Sequence, residues 1–160
     1  MRQECMALLH ASMAEDPRIV VLTADLGFGL LDQIRRDFPG RFHNVGAAEQ
    51  LLIGAGIGLA ESGRIPVCYS MSSFILYRPF ELLRNYVDHE NIPIRMIGSG
   101  RDKDYSHDGI SHWAHDDENI LWPLDNIKIY KPNDLRDLEE SWPSFLHDAH
   151  PSYLNLRRKI

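Results

Sequence analysis

The sequence predicts an α/β fold: one domain over residues 1–160, with a mostly parallel sheet of about six strands and helices on both faces. Three observations carry this. Short continuous apolar runs such as Ile19-Val20-Val21-Leu22 read as strands buried on both faces. Segments of helical length separate these runs, and strands that alternate with helices imply right-handed crossovers. A chain of 160 residues, 44% hydrophobic and 25% charged, suits a single globular domain with its own core.

Each element has a local reason. Residues 2–14 read as a helix with Cys5, Met6, Leu8, Leu9 and Met13 apolar, stopped by Asp16-Pro17. Ile19 to Leu22 is the first strand and Phe42 to Val45 a short second one. Residues 47–62 are rich in small, helix-permissive residues. Ile65 to Met71 is a third strand, followed by a helix over about 75–88, and Ile92 to Gly98 is a fourth strand. Residues 100–118 are polar and read as a loop. Ile127 to Tyr130 is a fifth strand, ended by Lys131-Pro132. Asn133 or Asp134 caps a helix over about 134–147, and Ser152 to Leu156 is the last strand. In such sheets ligands bind at the carboxyl ends of the strands, so the loops after residues 25, 45, 71, 98 and 131 are the ones to watch.

Composition removes several classes of function. A net charge of −6 leaves no basic footprint for nucleic acid or for an anionic membrane. No apolar run reaches the roughly 18–20 residues of a membrane helix. The segment MRQECMALLHASMAEDP has no long apolar run and carries acids, unlike a signal peptide. Two cysteines, Cys5 and Cys68, are too few for a disulfide framework and point to the cytoplasm.

Three constellations can carry chemistry. In Arg41-Phe42-His43-Asn44-Val45-Gly46-Ala47-Ala48-Glu49-Gln50 a strand ends and a helix begins, which puts Glu49 in the first helical turn. By spacing alone Glu49 is a carboxylate at the positive end of a helix. Gly54, Gly56 and Gly58 then recur within one helix, each at a cost of about 1 kcal/mol against Ala. A helix tolerates that where another backbone or a ligand comes close, as at a subunit interface. In the second constellation, Phe74, Tyr77 and Phe80 are spaced three apart and share one helical face. They form either a core stripe or an aromatic platform for a flat heterocycle. The third, from Ser106 to Asp117, holds His107, His112 and His115 among three aspartates. It suggests a metal site or polar substrate contacts, but its spacing fits no zinc pattern and lacks cysteine.

Taken together, these residues resemble the pyrimidine-binding (Pyr) domain of transketolase-like thiamine diphosphate enzymes. The shared pattern includes Ala24-Asp25-Leu26-Gly27 after the first strand, then Arg41-Phe42 and Gly46-Ala47-Ala48-Glu49-Gln50. It continues through Gly58-Leu59-Ala60, the aromatic stretch from Phe74 to Leu83-Arg84, and Asp108-Gly109-Ile110-Ser111-His112. It closes with Pro132-Asn133-Asp134 and the strand Pro151 to Arg158. Any one motif is weak; six in the right order are strong.

The resemblance implies the thiamine diphosphate-binding fold and a set of roles. Glu49 would hydrogen-bond a pyrimidine ring nitrogen and share a proton with it. Phe74 would stack on the aminopyrimidine, with Tyr77 and Met71 lining the same pocket and Asp25 near the cofactor at the subunit interface. Asp108 and His112 would face the substrate, with His112 counted with Glu49 as catalytic, and Arg158 would grip a sugar phosphate. Gly100 stands where many sugar transketolases carry a His, His107 replaces an acidic residue, and Trp113 replaces a Gln.

Two absences add to this. The Mg²⁺-binding Gly-Asp-Gly of these enzymes does not occur, and the sequence stops after the last Pyr strand. The resemblance therefore implies one subunit of a split transketolase, the C-terminal section, with a diphosphate-binding partner holding Mg²⁺, plausibly as an α₂β₂ heterotetramer. The reaction implied is transfer of a two-carbon ketol unit from a ketose. The alternatives are a subunit of a 2-oxo acid decarboxylase or acyloin-forming enzyme on the same cofactor, a non-catalytic Pyr partner, or a metal hydrolase on the histidine cluster.

Overall fold

The computed structural model describes residues 1–158. Helix α1 (Arg2–Glu15) leads into β1 (Ile19–Thr23), then α2 (Asp32–Asp37) and β2 (Phe42–Asn44). Helix α3 (Glu49–Glu61), β3 (Ile65–Met71), α4 (Ser72–Tyr77) and α5 (Phe80–Leu82) follow, and a π-helical turn over Leu83–Asp88 continues α5. The rest comprises β4 (Arg95–Ser99), α6 (Asp117–Leu121), β5 (Lys128–Tyr130), α7 (Leu135–His147) and β6 (Ser152–Leu156).

All six strands are parallel, in the order β2-β1-β3-β4-β6-β5. From β1 the chain steps outward to β2 and then returns to the other side of β1 as β3. The loops after β1 and β3 therefore diverge, which opens a crevice at their carboxyl ends.

Alternation along the strands splits the core in two. Ile19, Val21, Val67, Tyr69, Ile97, Leu154 and Leu156 meet α1, α2 and α7 on one face. Leu22, Cys68, Met96 and Tyr153 meet α3, α4 and the π turn on the other. Helices thus cover both faces. Both cysteines are buried, and burial pushes their thiols up, Cys68 to about 12. At the amino ends of the strands, Arg41 ties α1 to β1 by donating to the carbonyls of Met13 (2.8 Å), Asp16 (3.1 Å) and Ile19 (3.3 Å).

Four local readings change. Helix α2 was not foreseen: in Asp32–Asp37 only Ile34 is buried, too little for an apolar period. The helix read over 75–88 starts earlier, at Ser72, and breaks after Tyr77, because Pro79 has no N–H to continue the ladder. Strand β4 begins at Arg95 rather than Ile92, since Pro93 cannot pair and the Ile94 N–H turns back to the Ile92 carbonyl (2.8 Å). The loop read over 100–118 is ordered by two 3₁₀ turns, Ser106–Asp108 and Ile110–His112, and by a bridge between Asp102 and Ala114; α6 begins within it.

Candidate functional site

The carboxyl ends of β1, β3, β4 and β6 carry two adjoining clusters. The first grows from the start of α3. Glu49 opens that helix, and its side chain is only 2% exposed. A carboxyl group buried this deeply must be hydrogen-bonded. The hydroxyl of Ser70, near the end of β3, donates to Glu49 Oε1 at 3.4 Å, and Arg78 Nη1 lies 2.7 Å from Oε2. The Arg78 guanidinium also lies over the Phe74 ring, 3.7 Å from its centroid. One planar cation thus stacks on Phe74 while it donates to Glu49.

The residues that fix Phe74 follow from the chain's path. Phe74 sits in the first turn of α4, directly after β3. The Ser73 hydroxyl donates to the Ser111 carbonyl (2.9 Å) and docks the 100–113 loop on this turn. The His112 ring consequently lies 4.9 Å from Phe74, edge to face, with Nδ1 2.9 Å from the Ser111 hydroxyl. On its other side His112 lies 6.3 Å from the Tyr105 ring.

Tyr105 leads into the second cluster, a cavity of about 600 Å³. Arg2, Phe28, Tyr69, Met71, Ser99 and Arg158 are among its lining residues. Arg2 Nη1 donates to the Tyr105 hydroxyl at 3.3 Å, and Arg158 lies over the Tyr105 ring at 4.9 Å. The floor is firm. Arg101 is buried and donates to the carbonyls of Pro132 and Asn155 (2.8 and 2.7 Å), and burial lowers its pKa. Asp104 accepts from the backbone N–H groups of Arg101 (3.0 Å) and Arg158 (2.7 Å).

The structure brings Glu49, Phe74 and His112 into one run of contacts, with Met71 and Arg158 in the adjoining cavity. The others lie apart from that run. The Tyr77 hydroxyl donates to Asp116, and burial together with that bond pushes its pKa up. Asp25 adopts a left-handed conformation (φ 55°) and is exposed; its N–H donates to Asn44 Oδ1 (3.0 Å). Asp108 is exposed and faces His107 at 3.2 Å. The aromatic stripe does not form one platform: Tyr77 and Phe80 pack against the α3-side core, while Phe74 faces Arg78 and His112. Among the described residues, no group of three or more His, Cys, Asp or Glu side chains is placed to hold a metal ion. Among them too, no helix is long and apolar enough to cross a membrane.

Sequence reasoning missed Ser70, Arg78, Tyr105 and Arg2. Tyr105 carried no signal of its own; its ring sits on Gly100, whose φ of +92° and missing Cβ only the structure reveals. Arg78 carried no signal, because its partner lies 29 residues away.

The family described as "Transketolase, pyrimidine binding domain" matches residues 1–160. A subunit of 6-deoxy-6-sulfo-D-fructose transketolase from Clostridium sp. (strain MSTE9) is 29% identical over 99% of this chain and 50% of its own length. A protein of Methanocaldococcus jannaschii named putative transketolase C-terminal section is 30% identical over 88% of this chain and 45% of its own length. The chain thus spans about half the length of these curated relatives. Among solved structures, one described as a split gene transketolase, an inactive β4 tetramer, superposes with a TM-score of 0.86. Its identity is 28%, over 98% of this chain and 50% of that one.

Proposed function

The chain belongs to the family of transketolase pyrimidine-binding domains, and on that premise we propose that it is one subunit of a two-component, thiamine diphosphate-dependent transketolase-like enzyme. It contributes the pyrimidine-binding half of a site that a diphosphate-binding partner completes, in an α₂β₂ heterotetramer. The reaction is transfer of a two-carbon ketol unit from a ketose to an aldehyde acceptor. The relatives support a split assembly, since they include a protein named as a transketolase subunit and one named as a C-terminal section.

The observation that carries the reading is the Glu49–Arg78–Phe74 arrangement. A flat, nitrogen-rich cation already stacks on Phe74 and donates to a buried carboxylate. An aminopyrimidine makes the same two demands, so the pyrimidine half of the cofactor fits this chain. The sequence lacks the Gly-Asp-Gly that holds Mg²⁺ in the enzymes it resembles. Mg²⁺ and the diphosphate then belong to the partner.

When bound, the cofactor supplies the carbanion-stabilising centre. The chain's own residues do the rest. Glu49 holds or passes a proton at its carboxylate, which Ser70 orients. Phe74 fixes the plane of the ring, and Arg78 must leave that face to admit it. His112 stands between Phe74 and the cavity, where it can exchange a proton with a substrate hydroxyl. Arg158, with Arg2 on the same wall, receives the anionic end of the substrate.

Reconstitution tests this. The chain is mixed with a candidate diphosphate-binding subunit, thiamine diphosphate and Mg²⁺, and phosphorylated ketoses are offered as donors. The reading expects ketol transfer by the mixture and by neither chain alone. A mixture of verified heterotetramer that turns over no ketose would contradict it.

A further inference from the structure

We propose that Tyr105 is a positioning residue that ties Arg2 and Arg158 into one anion-holding wall of the 600 Å³ cavity, for the tetrahedral oxyanion end of a substrate. The proposal rests on the reading of that cavity as the place for the substrate's anionic end. It adds what makes two free arginines act as one site.

The two guanidinium groups reach Tyr105 in different ways. Arg2 donates from Nη1 to the hydroxyl oxygen (3.3 Å), while Arg158 lies over the ring face, 4.9 Å from the centroid. The hydroxyl also lies 3.3 Å from Ser99 Oγ, at the end of β4. One side chain therefore holds one cation by an oxygen lone pair and the other by the negative face of its ring. Unrestrained, each arginine samples many rotamers that binding must freeze, and two like charges in one cavity push apart. Tyr105 offsets both before a ligand arrives, which is how preorganisation raises affinity.

Tyr105 is itself held from below. Its ring packs on Gly100, whose φ of +92° and lack of a Cβ leave the room that the ring takes. The loop on either side is fastened: Arg101 donates to the carbonyls of Pro132 and Asn155, and Asp104 accepts from the backbone N–H groups of Arg101 and Arg158. Asp104 thus fixes the start of the Arg158 side chain, and Tyr105, the next residue, fixes its end. Glu4, two residues along α1 from Arg2, is the acid on the same wall. The ligand class that suits two fixed guanidinium groups is phosphate or sulfonate, whose oxygens each accept charge-assisted bonds.

The test is direct anion binding to the isotope-labelled chain, read at the arginine Nε–Hε resonances, with inorganic phosphate and methanesulfonate as probes. In the wild type, phosphate should shift the Arg2 and Arg158 signals together. Tyr105→Phe keeps the ring and removes the hydroxyl. It should return the Arg2 signal to the position of exposed arginines, leave that of Arg158, and weaken phosphate binding about three- to tenfold. Tyr105→Leu should release both signals and weaken binding by more than about tenfold. A response to phosphate alone, or the same ranking with both probes, supports the proposal and says which terminus the cavity takes. If Arg2→Gln and Arg158→Gln abolish phosphate binding while Tyr105→Phe and Tyr105→Leu leave signals and affinity unchanged, the role of Tyr105 is overturned and the reading of the cavity stands. If phosphate shifts neither arginine in the wild type, both fall. Should Tyr105→Leu not fold, an unchanged Arg2 signal and phosphate affinity in Tyr105→Phe is enough to overturn the proposal.

Discussion

The two clusters at the carboxyl ends of the strands are built on different principles. Around Glu49 the groups come from the end of β3 and the first turns of α3 and α4, and both carboxylate oxygens have a near partner. Around Tyr105 they come from α1, the 100–113 loop and the residue after β6, and they line an open cavity. In the first, a half-exposed guanidinium fills the space between Phe74 and the buried Glu49 carboxylate. The second is an open, cationic receptor fastened by loop anchors. Strand ends set the geometry of the chemistry, while loops set what is offered to it.

The largest expected effect falls on the Glu49 cluster. Glu49→Gln keeps the shape of the side chain but cannot pass a proton. It should lower turnover of the reconstituted enzyme by about 10²–10⁴-fold, measured as kcat, with assembly unchanged by sedimentation. Retained turnover would remove Glu49 from proton transfer and erase the distinction between the two clusters.

Next comes the fastening of the open cavity. Gly100→Ala places a Cβ at φ +92° against the Tyr105 ring. Thermal melting should show a loss of about 1–3 kcal/mol from backbone strain. The contrasting site is Gly58, which has nothing within 4 Å of a built Cβ, so Gly58→Ala should gain up to about 1 kcal/mol. Equal effects at the two glycines would mean that the Tyr105 ring is not seated on Gly100.

A smaller effect tests whether Arg78 stands where the cofactor ring must go. Arg78→Leu frees the Phe74 face, so calorimetry should find thiamine diphosphate binding to the heterotetramer about three- to tenfold tighter. Weaker binding would make Arg78 a cofactor contact instead of an occupant.

The smallest effect belongs to the opposite, amino end of the strands. Asp16 is held down to about 2 by its hydrogen bond to Arg18, at 2.7 Å. Its folded pKa lies below its unfolded one, so its stabilisation is present above about pH 4 and is lost as the pH falls through 2. Because its partner Arg18 is 61% exposed, Asp16→Asn should cost at most about 1 kcal/mol at pH 7. Denaturant titrations should show that difference vanish near pH 2, with no change in ligand binding.

Much of the fold was legible because buried parallel strands announce themselves. The runs around Ile19, Val67 and Leu154 and the small-residue helix after Gly46 all fell close to their places. Strand order was not legible, since nothing local says that β6 enters between β4 and β5. Helix α2 was too short for a period, and the break at Pro79 was hidden inside an aromatic spacing that promised one continuous face. Within the site, the approach of His112 to Phe74 depends on Ser73 reaching Ser111, a contact across 38 residues. The covering of Phe74 by Arg78 was equally invisible: an arginine four residues along a helix looks like a solvated side chain until the burial of Glu49 is known.

The central claim is that this chain holds half of a shared cofactor site. The most direct measurement is calorimetric titration of thiamine diphosphate with Mg²⁺ into the chain alone and into its verified complex with the diphosphate-binding subunit. Strong binding is expected only in the complex, and it should be lost there in Phe74→Ala. Equally tight binding to the chain alone would contradict a divided site. No binding to the verified complex would contradict a cofactor role for Glu49 and Phe74.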